Sequence, residues 1–330
     1  VETADLTVTI AVPTYRRPEQ LALLLDALTK RIAETEGALI DVLVVDNDPS
    51  CSARAVTAHG DLPVRYASEP TPGIAAVRNR ALEECHDRDL VAFIDDDEVP
   101  RPRWLSSLLE VWREHRSSAV MGRVISVFDA DVDPWVIASG TFARPPRQTG
   151  AALSVAAAGN LLLDVRQVRG LGVRFDPSLG LGGGEDTLFS RQLVLAGGTI
   201  VWCNESETED MVVASRTTRA WVRQRAFSSA NAWAHIRLRL ADSRLHRAGL
   251  RLRFVSGGLG RILVGSARHL YGRARGDLVH DARGIRASWR GRGLVAAAFG
   301  YRYAEYARGR GQRASTLGVS ARKDTDTSTG

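Results

Sequence analysis

Two acidic clusters stand out in this chain as residues able to do chemistry. The first lies in residues 91–100, VAFIDDDEVP, where a four-residue apolar run is followed at once by Asp95, Asp96, Asp97 and Glu98. Carboxylates this close repel one another, and a cation relieves the repulsion. Hard oxygen ligands suit Mg²⁺ or Mn²⁺. A solvated acidic turn capping the next helix is the plainer alternative. The second cluster is Glu185-Asp186, preceded by Gly182-Gly183-Gly184. Successive glycines let a backbone approach a ligand closely, and a carboxylate held there can take a proton in a transition state. Asp is also a favoured helix cap, so Asp186 as an N-cap is the structural alternative.

These clusters need a frame to position them. Residues 6–12 (LTVTIAV) are rich in β-branched side chains and read as a first strand, ending at Pro13-Thr14-Tyr15-Arg16-Arg17-Pro18. Pro18 suits the first turn of a helix over 19–30, with Leu21, Leu24, Leu25 and Leu28 on one face. Residues 40–45 read as a second strand that ends in Asp46-Asn47-Asp48. Residues 64–67 read as a short third strand, and 74–82 as a helix opened by Thr71-Pro72-Gly73. The run 91–94 suits a strand buried on both faces. Strand and helix patterns thus alternate up to residue 94, which argues for βαβ units and a mostly parallel α/β sheet. Its polar strand ends, at Thr14, at Asp46 and at 95–97, line one edge, where open α/β sheets hold nucleotide-sized ligands. The G-x-G-x-x-G fingerprint is absent from the first turn, which weighs against a dinucleotide oxidoreductase.

Further along, the spacing predicts a helix over 103–115, a strand over 119–127 and a close-packed turn at Gly159-Asn160 into a strand. A helix over 187–195 is ended by Gly197-Gly198, and a strand over 199–202 precedes an acidic turn over 205–210. Thr217 or Thr218 is placed to cap a helix carrying Trp221, Val222, Arg225 and Phe227.

With 330 residues and 44% hydrophobic content, the chain can build one large α/β domain with an appendage, or two domains. The net charge of +6 is unevenly spread: over 211–313 about twenty arginines face about four acids. Cys51, Cys85 and Cys203 lack metal-ligand spacing and fit reduced thiols of a cytosolic protein. None of the seven histidines forms a ligand cluster. Neither a secretory signal nor a membrane span is expected. Residues 248–271 and 291–306 mix apolar side chains with arginine, which suits either helices lying on an anionic membrane surface or an appendage packed on the catalytic domain. Nucleic-acid binding is the weakest option, since no such module is visible. Residues 313–330 have the composition of a disordered tail.

The ordered set PTYRRP, VVDND, PGIAAVRNRAL, AFIDDDEVP and GGGEDTLFSRQLVLAGG resembles family 2 glycosyltransferases of the GT-A fold, over about residues 5–230. Each motif alone is weak, but five in this order are specific for the family, although not for its substrate. The resemblance implies a Rossmann-like GT-A catalytic domain over 1–230, with a nucleotide-sugar half to about 100 and an acceptor half beyond. A basic helical region over 231–312 follows. The resemblance also implies that Pro13, Thr14, Tyr15, Arg16, Asp46, Arg78, Asp95 and Asp96 bind the nucleotide sugar. Asp95-Asp96-Asp97 matches the family's D-x-D motif, with Asp96 on the ribose and Asp97 holding Mn²⁺ or Mg²⁺ at the diphosphate. Glu185-Asp186 matches the E-D motif, whose acid is the base toward the acceptor, and Asp186 is favoured over Glu185.

The reaction implied is inverting transfer of a sugar from a nucleotide-diphosphate donor to a glycan, a lipid-linked or a small-molecule acceptor. It would run in the cytoplasm, with peripheral attachment to the inner membrane face as an option. Residues 129–150, rich in Pro, Asp and Gly, read as a loop touching that acceptor. Many relatives carry a metal-binding histidine after the last strand; residues 201–216 contain none, and Glu209 or Asp210 are the substitutes at hand. Two other functions stay open. One is a nucleotidyltransferase or pyrophosphorylase, although PTYRRP is not its phosphate loop. The other is a basic membrane-binding protein with an inactive transferase domain, against which the intact acids argue.

Overall fold

A computed structural model describes residues 6–58, 62–128, 131–179 and 183–303. The first half alternates as the sequence predicts: β1 (Thr7–Thr14), α1 (Pro18–Ala33), β2 (Leu39–Asp46), the one-turn α2 (Arg54–Thr57), β3 (Val64–Ser68), α3 (Ile74–Glu84) and β4 (Leu90–Ile94). β1 lies between β2 and β4, parallel to both, and β3 extends the parallel set beyond β2. Side chains alternate across the sheet. Ile10, Val12, Val44 and Ile94 join the leucines of α1 in one core. Ala11, Val45, Val91 and Phe93 join Ala75, Val77 and Ala81 of α3 in a second. Burial on both faces is why the apolar run of β4 is continuous. Each fully buried Val, Leu, Ile or Phe side chain of these two cores contributes roughly 1.5–3 kcal/mol.

The second half adds antiparallel pairings. β5 (Glu98–Pro100) is separated from β4 only by Asp95, Asp96 and Asp97. Then come α4 (Trp104–His115), β6 (Ala119–Phe128), α5 (Pro134–Ala138), β7 (Asn160–Asp164), α6 (Val165–Gly170), α7 (Glu185–Leu195) and β8 (Ile200–Val212). The sheet has eight strands in the order β3-β2-β1-β4-β7-β6-β8-β5. β7 runs antiparallel to β4 and β6, and β5 antiparallel to β8.

The acidic turn expected over 205–210 is instead part of β8. Pairing with β6 jumps from Cys203 to Glu207 at an irregularity between Gly122 and Arg123, then continues to Val212. Arginines on other segments neutralise the acids: Arg101 donates to Glu207 and Glu209 at 2.8 Å each, and Arg123 to Glu207 at 2.8 Å. Asn160 fastens the jump by donating to the Arg123 and Ser206 carbonyls and accepting from the Trp104 indole. The expected close-packed turn at Gly159-Asn160 is therefore present.

The C-terminal region consists of α8 (Arg219–Arg239), α9 (Arg244–Arg275) and α10 (Leu278–Ala298). Thr218 caps α8 by accepting from the Trp221 amide, and the helix runs unbroken past residue 230. α9 and α10 meet backbone to backbone: a Cβ on Gly265 would lie 2.7 Å from the Gly284 carbonyl oxygen. Residues 129–130 lie outside the described set, and the rest of the expected acceptor loop is partly claimed by these helices. It forms α5, Phe142 stacks on Trp221 at 5.3 Å, and Arg286 donates to the Ser139 and Gly140 carbonyls. The expected tail over 313–330 is outside the described residues. Among the described residues no helix is long and apolar enough to cross a membrane.

Candidate active site

The C-terminal ends of β1, β2 and β4 gather the polar residues marked in the sequence. Pro13 and Thr14 are buried at the end of β1. Thr14 donates its hydroxyl hydrogen to Asp96 Oδ2 at 2.7 Å. Tyr15 is half-buried, while Arg16 is exposed and donates to Asp48 Oδ1 at 3.2 Å. Asp46 has no exposed surface. It accepts from the Asp48 and Ala53 amides and from the Tyr66 hydroxyl, at 2.8, 2.9 and 3.1 Å. As placed, Asp46 braces the loop after β2 and offers no surface to a ligand, unlike the direct nucleotide contact implied by resemblance.

The three aspartates do not share one direction. Asp95 and Asp97 are half-buried, whereas Asp96, implied as a ribose contact, keeps only 6% of its surface. Asp96 is instead held by Thr14 and by Arg17 Nη1 at 2.9 Å. The same Arg17 nitrogen reaches Asp97 Oδ2 at 2.8 Å. Sharing one guanidinium splits its benefit. The two acids hold Arg17 above its ordinary value, while burial pushes Asp96 up to about 6 against Arg17 and Thr14. Both contacts are short and charge-assisted, yet burial outweighs them at Asp96.

Glu98 completes the acidic group from β5. It is buried, its Oε2 has no hydrogen-bond partner, and it pairs in register with Asp210 of β8. Burial raises Glu98 well above the carboxylate range, and Asp95, Asp210 and Asp97 add to the rise. Asp95 is also raised, first by its protein surroundings and then by Asp97, Asp186 and Asp210, with Arg78 opposing. Since 40% of the Asp95 side chain meets solvent, water screens part of that effect. Asp210 therefore belongs to the cluster. Glu209, its neighbour on the other face of β8, accepts from Arg101 at 2.8 Å, and Asp210 accepts from Arg144 at 3.3 Å.

A divalent cation fits the chemistry of this group: the donors are hard oxygens, they raise one another, and one buried oxygen is orphaned. Among the described residues no three such side chains are already arranged around a metal position. Arg17 occupies the Asp97 oxygen instead.

The second cluster is brought to the first by α7 and α3. α7 begins at Glu185, two residues before the expected start, with Gly184 at the N-cap in a left-handed conformation (φ 88°). Asp186 is thus inside the first turn and is not the N-cap. Glu185 is buried and accepts from Arg78 Nη1 at 2.7 Å; Arg78 Nη2 reaches Asp95 at 3.4 Å. Arg78 consequently ties the two acidic clusters together, rather than forming an ion pair within its own helix. Burial raises Glu185, with Asp186 adding and Arg78 opposing. Asn79, next on α3, exchanges hydrogen bonds with the Phe175 backbone and fixes the segment leading into α7. Asp186 is half-buried and lines a cleft of about 400 Å³ between α7 and the C-terminal helices. A larger cleft of about 840 Å³ lies outside α3 and α7, and none of the clustered acids lines it.

Sequence reasoning missed Arg17, although it stands inside PTYRRP, because only the pairing with Asp96 and Asp97 reveals its part. It also missed Glu98 as a buried member, and Arg216, whose Nη2 is 4.0 Å from Asp97. Cys203 is fully buried, and burial pushes its thiol up to about 11, as expected of an inert cysteine.

The family model described as "Glycosyl transferase family 2" matches residues 9–164. The succinoglycan biosynthesis protein ExoM of Rhizobium meliloti is 33% identical over 228 residues, which cover 68% of this chain and 73% of that protein. A pre-mycofactocin glycosyltransferase of Mycobacterium tuberculosis is 36% identical over 93 residues, 27% of this chain and 19% of its own length. Among solved structures, GalNAc-T7 with UDP, GalNAc and Mn²⁺ superposes with a TM-score of 0.51 at 12% identity, covering 73% of this chain and 52% of that one. That likeness concerns the fold and agrees with the GT-A arrangement of the sheet. The chain belongs to glycosyl transferase family 2, enzymes that move a sugar from a nucleotide-sugar donor.

Proposed function

We propose that Asp186 is the base that activates the acceptor hydroxyl, with Glu185 as its positioning neighbour. The observation that carries this is the division of labour between the two acids. Glu185 is buried and spent on Arg78, while Asp186 faces the cleft. As the donor's bond to its diphosphate breaks, Asp186 takes the acceptor proton and the acceptor oxygen attacks from the opposite face, inverting the anomeric centre. A good leaving group makes one base sufficient, so the paired carboxylates of glycoside hydrolases are not needed. Arg78, Arg17 and Arg216 lie around the acids and are suited to the charge of the departing diphosphate.

Asp97, with Asp95 beside it, is our candidate to hold Mn²⁺ or Mg²⁺. Such an ion would act as a Lewis acid on the diphosphate. Arg17 would have to release Asp97 for that, and would remain paired with Asp96. Thr14, Tyr15 and Arg16 line the approach for the nucleotide, with Asp46 holding the adjoining loop. The test is donor affinity by calorimetry beside acceptor turnover. Asp186→Asn should lower turnover by about two to four powers of ten with donor affinity nearly unchanged. Normal turnover in Asp186→Asn with collapse in Glu185→Gln would transfer the role to Glu185.

We further propose a cytoplasmic enzyme that rests on an anionic membrane through α9. That helix exposes Leu245, Leu252, Leu259, Leu263 and Leu270 along one side and carries arginines without a single acid from Arg244 to Arg275. This composition suits a helix lying in the headgroup region.

A further inference from the structure

Arg17 sits on the carboxylate that is our candidate to hold the cation, and its attachment to the fold decides what it can do there. It is the N-cap residue of α1, Pro18 follows at the helix start, and its carbonyl accepts from the Leu21 amide at 3.0 Å. The base of the side chain is therefore fixed. The guanidinium end is less confined, since 40% of the side chain meets solvent. One nitrogen, Nη1, donates both to Asp96 Oδ1 at 2.9 Å and to Asp97 Oδ2 at 2.8 Å. These two acceptors differ. Asp96 is buried and is also held by the Thr14 hydroxyl, whereas 23% of the Asp97 side chain is open. Asp96 is thus an anchor, and Asp97 is the partner that a ligand can reach.

We propose that Arg17 is a positioning residue that makes cation binding depend on the donor. Without donor it holds Asp97 Oδ2 and disfavours a divalent cation there. A nucleoside diphosphate draws its guanidinium away from Asp97 and so admits the cation. An oxygen that already accepts a charged hydrogen bond binds a divalent cation only by bringing two positive charges within a few ångströms of each other. The donor removes that conflict by giving Arg17 another anion. A guanidinium fork matches phosphate oxygens in bidentate geometry, so Arg17 can keep Asp96 while turning from Asp97 to the diphosphate. Donor and cation then favour each other by the same factor. Arg216, whose Nη2 is 4.0 Å from the same Asp97 oxygen, adds charge there but no hydrogen bond. The inference rests on the reading of Asp97 as the cation's ligand.

Electron paramagnetic resonance counts free Mn²⁺, so titrating the full chain with Mn²⁺, alone and with UDP, GDP or dTDP, tests the proposal without turnover. Wild type should bind Mn²⁺ weakly alone and about tenfold or more tightly with the nucleotide it accepts. Arg17→Gln should strengthen binding of Mn²⁺ alone by about tenfold, the worth of a hydrogen bond to a charged group, and should weaken nucleotide binding. The effect of nucleotide on Mn²⁺ should shrink accordingly. Arg17→Lys keeps the charge without the fork; it should fall between the two, and it carries the test if Arg17→Gln does not fold. Arg216→Gln removes a nearby charge that makes no hydrogen bond to Asp97, and should change Mn²⁺ binding less than Arg17→Gln does. Asp97→Ala separates the two readings. If it abolishes Mn²⁺ binding while Arg17→Gln binds Mn²⁺ alone no better than wild type, Asp97 keeps the cation and the role of Arg17 is overturned. If Mn²⁺ binding survives Asp97→Ala, the cation lies elsewhere and both readings fall. Equal gains in Arg216→Gln and Arg17→Gln would reduce Arg17 to general charge and would also overturn the proposal.

Discussion

Asp96 offers a stability test that needs no substrate. Its carboxyl is buried and pushed up to about 6, from an ordinary value of 3.8, in spite of Arg17 and Thr14. A carboxyl raised in the folded state contributes stability that is fully present below its unfolded value and is lost as pH rises through the folded value. A difference of about two units corresponds to about 3 kcal/mol in all. About 2 kcal/mol of it falls between pH 4.5 and 7.5, where the native fold is easiest to study. Asp96→Asn removes the titration and keeps an acceptor for the Thr14 hydroxyl. Urea unfolding of both proteins across that range gives the comparison. The stability of Asp96→Asn relative to wild type should improve by about 2 kcal/mol from pH 4.5 to 7.5. Taking the difference cancels the acids held low elsewhere, such as Asp89, Asp133 and Asp176, whose contributions change in the opposite sense. A gap that stays constant with pH would refute the claim that burial outweighs Arg17 at this carboxylate.

Asp97→Ala should abolish transfer while leaving the melting temperature within a few degrees, and wild-type turnover should fall on chelation and return with Mn²⁺ or Mg²⁺; full activity in EDTA would remove the metal role. The protein should co-sediment with anionic vesicles at low salt and be released at high salt, and Leu252→Glu with Leu263→Glu should prevent it; no binding at low salt would leave α9 as a packed appendage only. Thr218→Ala should cost about 1 kcal/mol of stability, read from denaturant midpoints, because it removes the acceptor for the Trp221 amide.

The alternation up to β4 was legible because local patterns carry it: β-branched runs, a leucine stripe on α1, Pro18 at a helix start and polar residues at strand ends. The acidic clusters and the arginine excess were legible for the same reason. They are properties of short windows, and the ordered motifs tied them to one family.

What lay beyond the sequence depends on partners far along the chain. Residues 205–210 look like a turn until Arg101 and Arg123, 106 and 84 residues from Glu207, neutralise them as a strand. Asp95, Asp96 and Asp97 are chemically identical in sequence. The end of β4 turns the middle one toward Thr14 and Arg17, leaves Asp95 beside Asp186 and Asp210, and lets Asp97 share Arg17. Glu185 and Asp186 are likewise adjacent acids. Arg78, 107 residues away, claims the first and leaves the second facing a cleft. Residue type sets which chemistry is available, but burial and pairing decide which carboxylate performs it. Both are sums over neighbours that only the folded chain brings within a few ångströms.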